Sequence, residues 1–286
     1  MKRNILPIII VSLILFGSAA LADGDFYGSG PWGTRITSLP YTISAPGAYY
    51  LSGNLSYSGG NGITIASDNV TLDLMGYSIT GPGGINTGIY MNGRKNVEIR
   101  NGTVSGWQDG IYEESSTAMG HRIINIQAEG NSWGVYLDGH GHLIKGCQAT
   151  GGASAIIGLF IYAHGTIAGC QVNNFPDQGI EIYCYGLISG NVVIGPGGTG
   201  PELRGGIYAG PASLVKGNEV SDAPRGIYCS GGATVIGNTV TANSGQVGIQ
   251  VTTTDPALLD QNAVMGPGTH YQGITPPMTV TRNNAG

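Results

Sequence analysis

Gly226-Ile-Tyr-Cys-Ser-Gly-Gly-Ala-Thr-Val-Ile-Gly-Asn238-Thr-Val240 reads as a short strand, a bend, a second strand, a tight bend and the opening of a third strand. Its apolar and β-branched residues alternate as they do on a pleated surface with one buried face. Gly237-Asn238 marks the tight bend, because Gly and Asn tolerate a left-handed backbone best. Nothing in the stretch has the 3.6-residue period of a helix. A coil this short cannot bury its own apolar side, so it needs copies of itself above and below.

The copies are present. Gly followed by Ile, Val or Leu recurs at Gly62, Gly88, Gly110, Gly134, Gly158, Gly179, Gly206, Gly226, Gly248 and Gly273, at intervals averaging about 23 residues. A second marker keeps step with it: Asn101, Asn125, Cys147, Cys170, Asn191, Asn218, Asn238, Asn262 and Asn283. Stacked Asn side chains at that bend can hydrogen-bond from turn to turn. Gly supplies 51 of 286 residues without a Gly-X-Y period, which means either disorder or a repeat fold dense in turns. The regular recurrence of Ile and Val decides for the repeat. The expected fold is all-β, a parallel β-helix (solenoid) of about ten coils, stacked about 4.8 Å apart.

The N-terminus carries a different signal. Lys2 and Arg3 precede an apolar run from Ile5 to Phe16, and Ala20-Leu21-Ala22 offers the small residues that a signal peptidase reads. Residues 1–22 are therefore expected to be a cleaved signal peptide, with the protein secreted or periplasmic and not inserted in the membrane after cleavage. Residues 23–60 are expected to form an N-terminal cap and first coil, and 61–286 the repeats. Without Lys2 and Arg3 the chain has 10 basic and 17 acidic side chains, a net charge of −7, which argues against nucleic acid as a partner.

These repeats resemble those of right-handed parallel β-helix proteins of the pectin-lyase-like superfamily, and most closely the short repeats of secreted NosD-type proteins. The resemblance covers residues 62–286, and Pro40-Tyr-Thr-Ile-Ser-Ala-Pro-Gly-Ala-Tyr-Tyr-Leu51 looks like the opening coil of such proteins. It implies a right-handed solenoid whose substrate groove lies on one outer face and its flanking loops. It specifies the fold strongly and the function weakly. The paired catalytic Asp residues of the superfamily's glycosidases and lyases have no clear counterpart here. Gly139-His140-Gly141 matches a polygalacturonase triplet without that triplet's acidic partners.

Register indicates which face carries chemistry. With each marker Gly as position zero, position one points inward and position two outward. The outward column reads Thr64, Tyr90, Tyr112, Tyr136, Phe160, Glu181, Tyr208, Tyr228 and Gln250. Such a stripe either stiffens the sheet by ring stacking or gives sugar rings a flat platform. Position four adds Asn92, Glu114, Asp138, Tyr162 and Tyr183, and position six adds Arg94, Ser116, His140, His164 and Tyr185. Loops on the far side of the stripe bring Trp107, Asp109, Trp133, Phe175 and Asp177.

The expected substrate-binding set is Tyr90, Tyr112, Tyr136, Phe160, Tyr162, Glu181, Tyr183, Tyr208, Tyr228, Trp107 and Trp133. Three readings remain open for Glu114, Asp138, His140 and His164. They suit a divalent metal, Zn²⁺, Cu²⁺ or Ca²⁺. Glu114, Asp138 and His140 with Tyr136 as proton donor also suit proton abstraction from a uronic acid, or related lyase, epimerase or hydrolase chemistry. The third reading is a solvated turn edge. The expected function is polysaccharide binding with or without modification, and the alternative is a non-enzymatic structural or metal-handling module.

Among the cysteines, Cys184 and Cys229 fall at inward positions two coils apart, too far for a disulfide, and are expected to be buried free thiols. Cys147 and Cys170 are neighbours in the Asn column, able either to pair after export or to pack as small apolar groups. The last repeat ends at Thr279-Val-Thr-Arg-Asn283, which leaves the C-terminal core to be covered by the chain itself or by a weak dimer.

Overall fold

A computed structural model describes residues 33–152, 154–195, 205–251 and 257–273, with two further strands at Thr279–Thr281 and Asn284–Ala285. The expected signal peptide, residues 23–32 of the expected cap and most of the C-terminal end lie outside the described residues. Every regular element among those described is a strand, and no helix there is long and apolar enough to cross a membrane.

All pairings are parallel. One sheet takes one strand per coil and runs in chain order through eleven strands, from Tyr41–Ile43 to Thr269–Gln272. The rest of each coil supplies a 21-stranded sheet, which a tight bend divides into two rows. The coil at Gly205 shows the plan: Gly205–Ala209, then Leu214–Lys216, then Glu219–Ser221. Solenoid stacking thus satisfies backbone N–H and C=O groups between coils, while each coil contributes apolar side chains to one shared interior.

The interior consists of aligned columns. Ile63, Ile89, Ile111, Val135, Leu159, Ile180, Ile207, Ile227 and Ile249 form one, all buried. Ile99, Ile123, Ile144, Ile167, Ile188, Val215, Val235 and Leu259 form the second, and Val104, Ala128, Ala149, Val172, Val193, Val220, Val240 and Val264 the third. The marker Gly is dictated by a close approach. A Cβ at Gly226 would lie 2.3 Å from Val240 Cγ1 and 2.6 Å from the Gly248 carbonyl oxygen. That column holds for nine of the ten positions read from sequence. At the last coil Ile249 pairs with Tyr271, so His270 stands where Gly273 was expected.

The bend marker proves to be two columns. Asn191, Asn218, Asn238 and Asn262 are buried and form a ladder: Asn218 Nδ2 donates to Asn238 Oδ1 at 2.9 Å and to the Ile188 carbonyl at 3.1 Å, while its Oδ1 accepts from Asn191 Nδ2 at 2.9 Å. Asn191 Oδ1 accepts from the Cys170 backbone N–H at 2.8 Å, and the ladder ends there. Asn101 and Asn125 lie one residue out of this register, at φ 57° and 53°, in the column of Gly146 and Gly169. Where Gly precedes Asn, Gly takes the left-handed bend and Asn turns inward. Gln261 takes the same bend at φ 54° ahead of Asn262, whereas in the two earlier coils the inward position falls to Gly102 and Ile126, and Asn, which tolerates a left-handed backbone, takes the bend itself.

All four cysteines are free thiols, with Cys147 and Cys170 side by side in the buried column. Cys229 is buried as expected. Cys184 is only half-buried, because its strand is already reaching the bend at Tyr185, where φ is 54°.

Candidate functional site

The outer face of the eleven-stranded sheet carries the outward column in the expected register. Tyr90, Tyr112, Tyr136, Phe160, Glu181, Tyr208 and Tyr228 are successive partners. Tyr90 and Tyr112 stack with centroids 6.4 Å apart, Tyr112 and Tyr136 tilt together at 4.9 Å, and Tyr136 stacks on Phe160 at 4.6 Å. Glu181 interrupts the run, and Tyr208 and Tyr228 resume it at 5.5 Å. Two further stacks flank the interruption on the same coils. Tyr162 stacks on Tyr183 at 5.1 Å, and His164 on Tyr185 at 5.0 Å, so the rings step diagonally across the face. The tyrosines of the first ladder are half-buried, whereas Tyr162, Tyr183 and Tyr185 are 41%, 47% and 54% exposed.

Trp133 joins this surface. It pairs with Asp109 and Ile157 in the residue column beside the marker Gly, and its ring meets Tyr136 edge-on at 5.2 Å and Phe160 at 6.1 Å. Trp107 does not. It is fully buried, its indole N–H donates to the Ile79 carbonyl at 3.3 Å, and its ring fills the space left by Gly62, Gly81 and Gly88. The expected groove tryptophan is a core residue, because three side-chain-free positions around it form a slot that only a large flat ring fills. Phe175 is buried against Gly158 in the same manner. Phe160 and Glu181, though on the outward column, are also buried, at 7% and 2% exposure.

The polar candidates lie along the edge of the rings. Glu114 is exposed and accepts a short hydrogen bond from the Tyr90 hydroxyl and another from Asn92 Nδ2 at 3.2 Å. Asp138, one coil on, accepts from the Gly139 backbone N–H at 2.7 Å. A bulge then displaces His140. Gly139, at φ 98°, packs so tightly that a Cβ there would lie 2.2 Å from the Ala118 carbonyl oxygen, and His140 pairs with Ala163 instead of His164. The two imidazoles meet edge-on at 5.8 Å. The bulge thus takes His140 out of the His164 row, and among the described residues no three His, Cys, Asp or Glu side chains are set to hold a metal ion.

Electrostatics single out Asp109, which the sequence placed beside the stripe without a role. Burial pushes its carboxyl up to about 6, against a smaller downward effect of a hydrogen bond with Thr87. Burial, with the nearby carboxylates of Glu114, Asp109 and Asp138, raises Tyr112. Burial and then Asp138 push Tyr136 up to about 12. Such a face can stack sugar rings and hydrogen-bond hydroxyls, and Asp109 can exchange a proton near neutrality.

A network that the sequence reading missed lies beneath the polar edge. Glu113 is fully buried and accepts from the backbone N–H groups of Gly93 at 2.8 Å, Ser115 at 2.9 Å and Arg94 at 3.2 Å. Its Oε2 is also 3.3 Å from His121 Nε2. His121 stacks on His142 at 4.9 Å, and His142 accepts the His121 backbone N–H while its Nε2 bonds the Asp138 carbonyl at 2.8 Å. Burial raises Glu113, but His121 and the three N–H groups outweigh it and hold the carboxyl below its usual range. The signal was available in the parity, since Glu113 is an acid in an inward column with Met91, Leu137 and Ile161.

Comparison with known proteins gives the same fold. The model of the family described as "Right handed beta helix region" matches residues 50–206 and, in an overlapping alignment, 87–264. The chain belongs to the right-handed β-helix family. The solenoid is similar to that of the Dettilon tailspike protein, with a TM-score of 0.65 at 17% identity over 87% of this chain and 59% of that one. It is also similar to an alginate lyase from Paenibacillus sp., with a TM-score of 0.55 at 13% identity, covering 88% and 99% of the two chains. A catalytic domain of GH87 alpha-1,3-glucanase in complex with tetrasaccharides gives 0.51 at 13% identity, covering 87% of this chain and 64% of that one. The chain thus spans about three fifths of the tailspike's length. No curated protein matches this chain.

Proposed function

We propose that this β-helix protein is exported and binds a polysaccharide lengthwise on the outer face of its eleven-stranded sheet, between Tyr90 and Tyr185. The observation that carries the proposal is the diagonal of stacked rings, which ends in the exposed Tyr162, Tyr183 and Tyr185. Interior packing does not need these three rings in water, and large exposed apolar surface on a soluble protein marks a binding site. Two β-helix proteins of similar fold support the reading, one an alginate lyase and one a glucanase holding tetrasaccharides. Export rests on Lys2, Arg3, the Ile5-to-Phe16 run and Ala20-Leu21-Ala22.

Affinity electrophoresis of the mature protein through gels containing different glycans tests it. The Tyr162→Ala, Tyr183→Ala double variant should fold as wild type and lose about tenfold in retention, as expected for two stacking contacts. Tyr112→Ala with Tyr136→Ala should lose as much and also melt several degrees lower, because those rings are half-buried. If no glycan retards the wild type, or both variants run as wild type does, the ladder serves only to stiffen the sheet.

A further inference from the structure

The described residues of the ringed face are lopsided in charge. From Thr87 to Tyr185 the columns beside the marker Gly and at positions two and four hold Asp109, Glu114, Asp138 and Glu181, and no Lys or Arg. The cations of this face stand outside that set: Arg225 lies over the Tyr228 ring, two coils beyond Glu181, and Arg94 is at the rim on position six. Its Nε donates to the Asn92 carbonyl at 2.8 Å and its Nη1 to the Ala66 carbonyl at 3.2 Å, which fixes the guanidinium against backbone.

Glu114 and Asp138 matter most. They stand in one column on adjacent coils, because Glu113 pairs with Leu137. Neighbouring parallel strands are about 4.8 Å apart, and like charges directly opposite each other destabilise a sheet. The partners seen for Glu114 are the neutral Tyr90 hydroxyl and Asn92 amide, and for Asp138 a backbone N–H. None of these groups neutralises charge. The chain therefore places two adjacent carboxylates at the edge of a ring platform without a cation between them.

We infer that the polysaccharide taken by this face carries protonated amino groups, as a polymer of de-N-acetylated amino sugar does. The inference rests on the glycan-binding reading above and gives it a substrate class. Sugar rings stack on Tyr112, Tyr136 and Tyr162 while an ammonium group meets Glu114 and Asp138. An oligouronate would set its own carboxylates against theirs, where both attraction to the rings and repulsion between charges act at the same place. Opposite charge across a contact favours the right partner and penalises the wrong one.

Isothermal titration of the mature protein at pH 6 and low salt, with chelator present, tests the inference with three oligosaccharides: glucosamine oligomers, the same oligomers fully N-acetylated, and oligouronates. The glucosamine chain should bind roughly tenfold tighter than its acetylated twin, the effect of two exposed ion pairs, and the oligouronate weakest. Raising the salt should shrink the preference, because exposed charges are screened. The Glu114→Gln, Asp138→Asn double variant should bring the ratio towards one. A wild-type ratio of one, or tightest binding to oligouronate, overturns the amino-sugar inference and leaves glycan binding standing. Binding to none of the three, nor to any glycan in the gels, removes both.

Discussion

Replacing Trp107 with Ala should destabilise the solenoid by about 3–5 kcal/mol, the cost of emptying a well-packed aromatic site. The indole is fully buried between two coils, and its slot is built from Gly62, Gly81 and Gly88, which have no side chains to collapse into the hole. The substitution also strips the Ile79 carbonyl of its 3.3 Å donor, an added penalty for a buried acceptor. Trp107→Phe should cost less, since most of the ring volume remains. Denaturant unfolding measures both, and a loss below about 1 kcal/mol for Trp107→Ala would mean that the slot relaxes, contrary to the close contacts described.

Acid should weaken the solenoid through His142. Burial first, and His121 next, push its imidazole from 6.5 down to about 4. The unfolded chain therefore binds a proton between about pH 6.5 and 4 that the folded chain refuses, and stability falls as the pH drops through that window. A shift of this size is equivalent to about 3 kcal/mol, at 1.36 kcal/mol per unit. Glu113 acts in the same direction at lower pH. Its carboxyl is held below the usual range, so the stability it contributes is present above about pH 4.5 and is lost as protonation overtakes it. Melting temperatures of wild type and His142→Gln at pH 7 and pH 4.5 separate this effect from other titrations. The variant should be less stable at pH 7 yet show a smaller fall on acidification, and equal falls would exclude His142 as the cause.

Much of this architecture was legible in the sequence because a solenoid repeats its constraints. The Gly column was readable since each of its nine glycines faces the backbone of the next coil, where a side chain is excluded, and it failed only at the last coil, where His270 takes the place. The outward ring column followed from parity alone. What the letters concealed was conformation at single bends. Asn101 and Asn238 look alike, yet one takes the left-handed position and the other points inward, a one-residue offset that only the strand register reveals. His140 and His164 share a position by counting, but the bulge at Gly139 moves one of them aside. Trp107 resembled a loop aromatic because nothing local reveals that three glycines from neighbouring coils converge on it. Glu113 showed its anomaly in the pattern, whereas its partners come from residues 20, 19 and 8 positions away and only the coil brings them together.

A glycan held on the ringed face would shield tyrosines there and leave those on the other sheet as they are. Hydroxyl-radical footprinting of the mature protein, with and without an oligosaccharide that it retains, reads this residue by residue. Tyr112, Tyr136, Tyr162 and Tyr183 should lose reactivity on binding, while Tyr50, Tyr57 and Tyr77, on the other side of the coils, should keep theirs. Protection confined to Tyr50, Tyr57 and Tyr77, or no protection of any tyrosine by a bound glycan, would rule out binding on the ringed face.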